Sequence, residues 1–169
     1  MKKTLQKLNT LVASGIINEY AIAGGMAQFY YVEPSVTYDL DLIVNISNKE
    51  NDLAPFASLY KWAAENDYQT EGEHILIEGM PVQFLLPYNS LVAEALENRI
   101  QISLFEEKTF ILSAEYLMAI MLQTWRPTDR ERLVRFFDEA VFDEIKFLDI
   151  IKRFDLLNKY QDLMKKFYE

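Results

Sequence analysis

The hydrophobic period changes once along this chain, and late. Up to about Phe110, runs with apolar residues every three or four positions alternate with short runs rich in branched and aromatic residues; from Ser113 onward the spacing stays helical. That pattern predicts an α/β (α+β) lobe over residues 1–112 followed by a helical lobe over residues 113–169, the two forming one compact unit. No repeat, low-complexity tract or Ser/Pro-rich linker separates them. With 169 residues, 50% of them hydrophobic, the chain can bury roughly 70% of its unfolded surface and hold a core without staples.

In the first lobe, Leu5, Leu8, Leu11 and Val12 form one helical face that Gly15 ends. Residues 19–23 read as a strand running into Gly24-Gly25, with a helix over 26–32 and a second strand over 38–45. A helix over 53–66 places Pro55 in its first turn, where proline is tolerated. Residues 73–77 and 82–86 are expected to pair as a hairpin about Glu78-Gly79, before a short helix over 91–97 and extended pieces over 100–105 and 109–112. In the second lobe, Ser113 is the expected cap of a helix over 114–123, and Pro127 breaks it. Thr128 and Glu131 match a capping box for the next helix, which carries Leu133, Val134, Phe136 and Phe137. One or two helices close the chain through Ile145, Leu148, Ile150, Ile151, Leu156, Leu157, Tyr160 and Met164.

Composition removes several kinds of chemistry. There is no cysteine, hence no disulfide, thiolate metal site or cysteine nucleophile, and with no apolar leader at the start the expected location is cytoplasmic. The longest apolar run, residues 116–122, is far short of the ~18 residues of a membrane span, so no membrane role is expected. A net charge of −9 and a pI near 4.7 make the surface repel polyanions, which argues against broad nucleic-acid binding. A charged substrate would instead be bridged to carboxylates by a divalent cation. The single histidine, His74, rules out paired-histidine metal sites and reads as an ordinary residue at the start of a strand.

Asp39 and Asp41 are harder to explain structurally. Two carboxylates one residue apart in a strand share a face, with Cα atoms about 6.6 Å apart at ~3.3 Å per residue. Set between Leu40 and Leu42-Ile43-Val44, they are costly to bury unpaired. A solvent-facing edge strand would relieve them, and so would a bound Mg²⁺, which takes one or two carboxylates plus substrate phosphates. Gly24-Gly25, between a strand and a helix, is a plain turn or a place where uncovered N–H groups approach a phosphate. The order strand, Gly-Gly, helix, Asp-x-Asp strand is more specific than either part. Ser90 and Ser113 lack a nucleophile motif and read as caps. Phe29, Tyr30, Tyr31, Tyr38 and Trp125 are candidates for base stacking or for packing.

The runs Ala21-Ile22-Ala23-Gly24-Gly25 and Thr37-Tyr38-Asp39-Leu40-Asp41-Leu42 resemble the nucleotidyltransferase superfamily of the DNA polymerase β type, and within it the small bacterial branch with the AbiEii-like toxins. Gly79-Met80-Pro81-Val82-Gln83-Phe84-Leu85 resembles the strand that brings that family's third carboxylate. Residues 115–129 resemble its helical motif, so the likeness spans roughly residues 16 to 135. The resemblance implies a mixed sheet with flanking helices, Mg²⁺ on Asp39 and Asp41, and a triphosphate at Gly24 and Gly25 with Gln83, Arg126 and Asp129 nearby. It implies transfer of a nucleoside monophosphate from an NTP to an acceptor, whether tRNA, protein or small molecule. Two positions depart from the family. Gln83 replaces the third acid; its amide can offer an oxygen to a cation but cannot take a proton. Met121 stands where the family carries a lysine, and Arg126 is the candidate substitute. Asp129 matches a family aspartate, yet capping and surface pairing explain it equally well. The alternative function is a catalytically degenerate scaffold that binds a nucleotide or a cognate protein partner, with a toxin–antitoxin role resting on the family likeness alone.

Overall fold

A computed structural model describes residues 1–33, 37–46 and 55–168. Within them the chain runs α1 (Lys2–Ala13), β1 (Glu19–Ile22), α2 (Gly24–Tyr31), β2 (Leu40–Asn45), α3 (Ala57–Glu65), β3 (Thr70–Glu71), β4 (His74–Ile77), β5 (Met80–Leu85), α4 (Ser90–Glu97), β6 (Ile100–Leu104), β7 (Glu107–Ile111), α5 (Ala114–Thr124), α6 (Pro127–Glu139), α7 (Glu144–Arg153) and α8 (Leu157–Tyr168). The strands form one seven-stranded sheet in the order β3-β4-β5-β2-β1-β7-β6. It is mixed: β2 runs parallel to β5 and antiparallel to β1, and β1 runs parallel to β7. This is the expected α/β sheet followed by a helical tail.

Two hairpins set the outer registers. Glu78 and Gly79 have φ of +53° and +79°, and Phe105 and Glu106 have +51° and +66°. Positive φ at both loop residues is what a two-residue type I′ connection requires. The first hairpin is the one expected about Glu78-Gly79; the second joins the two late extended pieces.

The structure departs from the sequence reading where a local pattern had a stronger competitor. α2 begins at Gly24, so the glycines form its first turn instead of preceding it. β2 begins at Leu40, leaving Asp39 just before the strand. Ser113 occupies the N-cap position of α5, but its hydroxyl donates to Glu115 Oε2 at 2.5 Å and caps no backbone N–H. The Thr128–Glu131 capping box does not form. α6 starts earlier, with Arg126 as N-cap, Pro127 in the first turn and the Asp129 carboxylate accepting from the Arg126 N–H at 3.2 Å. Pro127 fits there because the N–H it lacks would have had no helical partner. The two-residue β3 was not expected. The helix expected over 53–66 is seen as α3, but it starts at Ala57 with Phe56 as N-cap, so Pro55 lies before the helix and not in its first turn; the proposed start at Leu53 lies outside the described residues.

The buried apolar residues form one continuous core from Leu5 to Leu163, including sheet residues such as Leu40, Leu42 and Val44 and helical ones such as Leu133 and Phe136. Tyr31 joins the two parts: its hydroxyl donates to Leu112 O at 2.9 Å and its ring lies 5.9 Å from that of Phe136. Buried Glu115 ties α7 to α5, accepting from the Asp143 N–H at 3.0 Å and from Lys146 Nζ at 3.2 Å.

Candidate functional site

The site starts where β1 gives way to α2. The Ala23 N–H donates to Asp41 O at 2.8 Å, which brings Gly24 alongside Asp41. Gly24 has φ +56°, and a Cβ there would lie 2.0 Å from Asp41 Oδ2. A Cβ on Gly25 would meet Thr37 Oγ1 at 2.9 Å, and that hydroxyl donates to Asp39 Oδ1 at 2.9 Å. Both glycines are therefore required by close approach: one leaves room for the Asp41 carboxylate, the other for the residue that orients Asp39. The α2 N-terminus is also the positive end of the helix dipole, which favours a carboxylate beside it.

Across the sheet, Asp41 pairs with Gln83, Gln83 with His74, and His74 with Glu71. Directly paired residues share a face, so four polar side chains form a row over β2, β5, β4 and β3. His74 Nε2 lies 3.8 Å from Asp39 Oδ2. Gln83 Nε2 donates to Glu73 Oε2 at 2.6 Å. Thr37, Tyr38, Asp39, Glu71, His74 and Arg132 line an open cavity of about 480 Å³ at the His74–Glu71 end of this row.

Burial holds the Asp41 carboxyl above its ordinary range, and the neighbouring Asp39 charge pushes it further up; His74, Arg132 and Arg126 pull it back. Among the described residues no hydrogen bond reaches this carboxylate. Nor does any group of three or more His, Asp or Glu side chains there form a metal cage. The arrangement offers two carboxylates as hard oxygen donors beside a helix N-terminus, with two arginines within electrostatic range.

The structure thus brings Asp39, Asp41, Gly24, Gly25 and Gln83 together. Arg126 acts on Asp41 at a distance, with its Nε on Asp129 Oδ2 at 2.9 Å. Asp129, 1% exposed, accepts at that same oxygen from Thr124 Oγ1 at 2.7 Å and from the Arg126 N–H; it caps α6 and steers Arg126. Met121 is buried in the core. Trp125 packs partly against the core, with Arg130 and Lys159 lying 5.6 and 5.9 Å from its ring centre. Sequence reasoning missed His74, Glu71, Glu73, Thr37 and Arg132 as members of the site. The signal for His74 was present: a two-residue turn at 78–79 places residue 74 opposite residue 83.

No protein-family model matches the sequence, and no curated protein matches it. Among solved structures, the chain is similar to an antigenic nucleotidyltransferase-like protein from Paracoccidioides brasiliensis, with a TM-score of 0.63 and 15% identity over 98% of this chain and 89% of that one. The fold is nucleotidyltransferase-like. The paired carboxylates lie in that fold at the junction of β2 with the N-terminus of α2. Among the described residues, no helix is long and apolar enough to cross a membrane.

Proposed function

We propose that this protein is a nucleotidyltransferase that moves a nucleoside monophosphate from an NTP to an acceptor, with Asp39 and Asp41 holding Mg²⁺. The observation that carries this reading is the Asp41 carboxylate, raised by burial and by Asp39, without a hydrogen-bond partner among the described residues, set against the first turn of α2. Two carboxylates suit a hard cation that takes its other ligands from phosphate and water. When bound, Mg²⁺ would offset the charge of the triphosphate and of the departing pyrophosphate.

The chain's own residues supply the rest. The N–H groups at the start of α2 offer donors to a phosphate that glycine leaves uncovered. Arg126 and Arg132 add positive charge on the side of Asp41. Tyr38, 81% exposed beside Asp39, offers a ring face to a base. In the reaction an acceptor oxygen bonds to the α-phosphorus, the bond to the β-phosphate oxygen breaks, and the acceptor proton passes to water. The acceptor is a tRNA, a protein or a small molecule. Membership of the AbiEii-like branch, with a cognate protein partner and a toxin–antitoxin role, is a further part of the proposal. Growth arrest on expression, relieved by a neighbouring gene product, supports it.

Thermal stability with each NTP, with and without Mg²⁺, tests the core claim in the wild type and Asp39→Asn. Ligand at 100 times its Kd adds about 2.7 kcal/mol, or about 5–10 °C in Tm for a domain of this size. A rise that needs metal, nucleotide and Asp39 is expected. No rise with any nucleotide overturns the reading in favour of the second one, a non-catalytic scaffold that binds a protein. That second reading is favoured by the neutral Gln83, whose amide cannot take a proton from an acceptor.

A further inference from the structure

We infer that Glu73 is a positioning residue for Gln83, fixing the amide so that its carbonyl oxygen joins Asp39 and Asp41 as a third, uncharged oxygen of the cation site; this rests on the function proposed above. Gln83 stands opposite Asp41 across the parallel β2–β5 pair and opposite His74 across β4–β5, so it occupies the middle of the polar row. An amide side chain has two ends of similar size and opposite character, an NH₂ that donates and an oxygen that accepts. Only the oxygen suits a cation. In the reversed orientation the NH₂ group would turn its partial positive charge toward the cation.

Glu73 resolves which end faces where. Its Oε2 accepts from Gln83 Nε2 at 2.6 Å. An ionised carboxylate has no proton to donate, so flipping the amide would set oxygen against oxygen. Glu73 precedes the first residue of β4, and β4 and β2 flank β5 on opposite sides. The bond therefore draws the NH₂ toward β4 and leaves Oε1, which has no hydrogen-bond partner among the described residues, for the β2 side where Asp41 stands. The turn Gly72-Glu73, with Gly72 at φ +59°, makes this reach feasible. It links β3 to β4 through two residues.

Mn²⁺ binding, read by the electron paramagnetic resonance signal of the free ion, tests this without relying on turnover. Urea midpoints of the metal-free proteins run alongside. Glu73 is solvent-exposed, so Glu73→Ala is expected to leave the urea midpoint unchanged while weakening Mn²⁺ by about tenfold, the usual lower bound for losing a residue that orients a ligand. Glu73→Gln, whose amide can donate as well as accept and so no longer excludes the flipped Gln83, is expected to bind Mn²⁺ more weakly than wild type. The exchange Glu73→Gln with Gln83→Glu keeps a donor–acceptor pair and is expected to bind at least as tightly as wild type. Wild-type affinity in Glu73→Ala overturns the inference, as does an exchange of Glu73→Gln with Gln83→Glu that binds more weakly than wild type, since it keeps both the donor–acceptor pair and an oxygen for the cation. If Asp41→Asn abolishes binding and Glu73→Ala does not weaken it, the inference alone fails. If the wild type shows no Mn²⁺ binding that depends on Asp41, the proposed function fails with it.

Discussion

Gly24→Ala isolates the contact on which the site depends. Residue 24 has φ +56°, a conformation that costs an L residue with a Cβ about 1–2 kcal/mol. The new Cβ would sit 2.0 Å from Asp41 Oδ2, whereas ordinary contact begins at 3.4 Å, so the carboxylate must retreat by about 1.4 Å. Forcing such a shift in packed surroundings costs about 1–3 kcal/mol, giving a total of about 2–5 kcal/mol. Gly15→Ala is the matched control: φ there is +72°, with nothing within 4 Å of the added atom. It should lose only the backbone part, about 1–2 kcal/mol. Urea unfolding of both variants measures the difference, and Tm with Mg²⁺ and NTP measures whether the displaced carboxylate still serves. Asp41 can escape the clash by rotating, which trades the lost stability for lost ligand binding. At least one of the two must therefore change in Gly24→Ala beyond its control. Equal stabilities and an intact ligand-induced Tm rise in the two variants would refute the close approach of Gly24 to Asp41.

Two pH predictions of opposite sign follow from the carboxylates. The Asp41 carboxyl is raised above its ordinary value of 3.8, first by burial and then by Asp39, so the folded state holds its proton longer than the unfolded one and stability from this group falls as pH rises through the raised value. Asp41→Asn is expected to be more stable than wild type at neutral pH. That difference should vanish well below the ordinary value, and a variant less stable than wild type at neutral pH refutes the assignment. For Glu115, burial pushes the carboxyl up, but donors from Ser113, Asp143 N–H, its own N–H and Lys146 outweigh it and hold the group below its ordinary value of 4.5. Its contribution is present above that value and is lost as pH falls through the lowered one. Glu115→Gln should therefore narrow the gap between neutral and acid stability measured by urea midpoints; an unchanged gap refutes it.

Much of the architecture was legible because it rests on local signals that agree with the fold. Leu5, Leu8 and Leu11 form the buried face of α1, and Glu78-Gly79 makes the expected hairpin. β3 was illegible because Thr70 and Glu71 are both polar and exposed. They become a strand only through pairing with β4. The start of α6 was misread because two signals overlap: Thr128-x-x-Glu131 matches a capping pattern, yet Pro127 in the first turn and Asp129 three residues after Arg126 open the helix earlier. In the site, the Asp39–Asp41 spacing and the glycine pair stood out in the sequence, but the reason for the glycines did not. Room for Asp41 and Thr37 depends on chain segments that meet only after folding. Arg132 reaches the cavity from α6, a placement no spacing in the sequence encodes.

Local rules are broken twice at one point of this fold. The β2 strand buries Leu40, Leu42 and Val44 completely on one face, and Ile43 on the other is 4% exposed. An acid at 41 is the one ionisable residue in that strand, and its raised carboxyl marks it as a cost to folding. In the first turn of α2, Gly25, whose backbone does not need a glycine, adds a backbone entropy cost of about 0.5–1 kcal/mol relative to alanine. An asparagine at 41 would serve a purely structural role better, and so would an alanine at 25 were it not for its clash with Thr37. Costs that fall on residues in contact, with no gain for the core, are the pattern expected of a functional site. In the proposed function a cation with a phosphate offsets both, one neutralising the carboxylate and the other accepting the N–H groups that the glycines leave open.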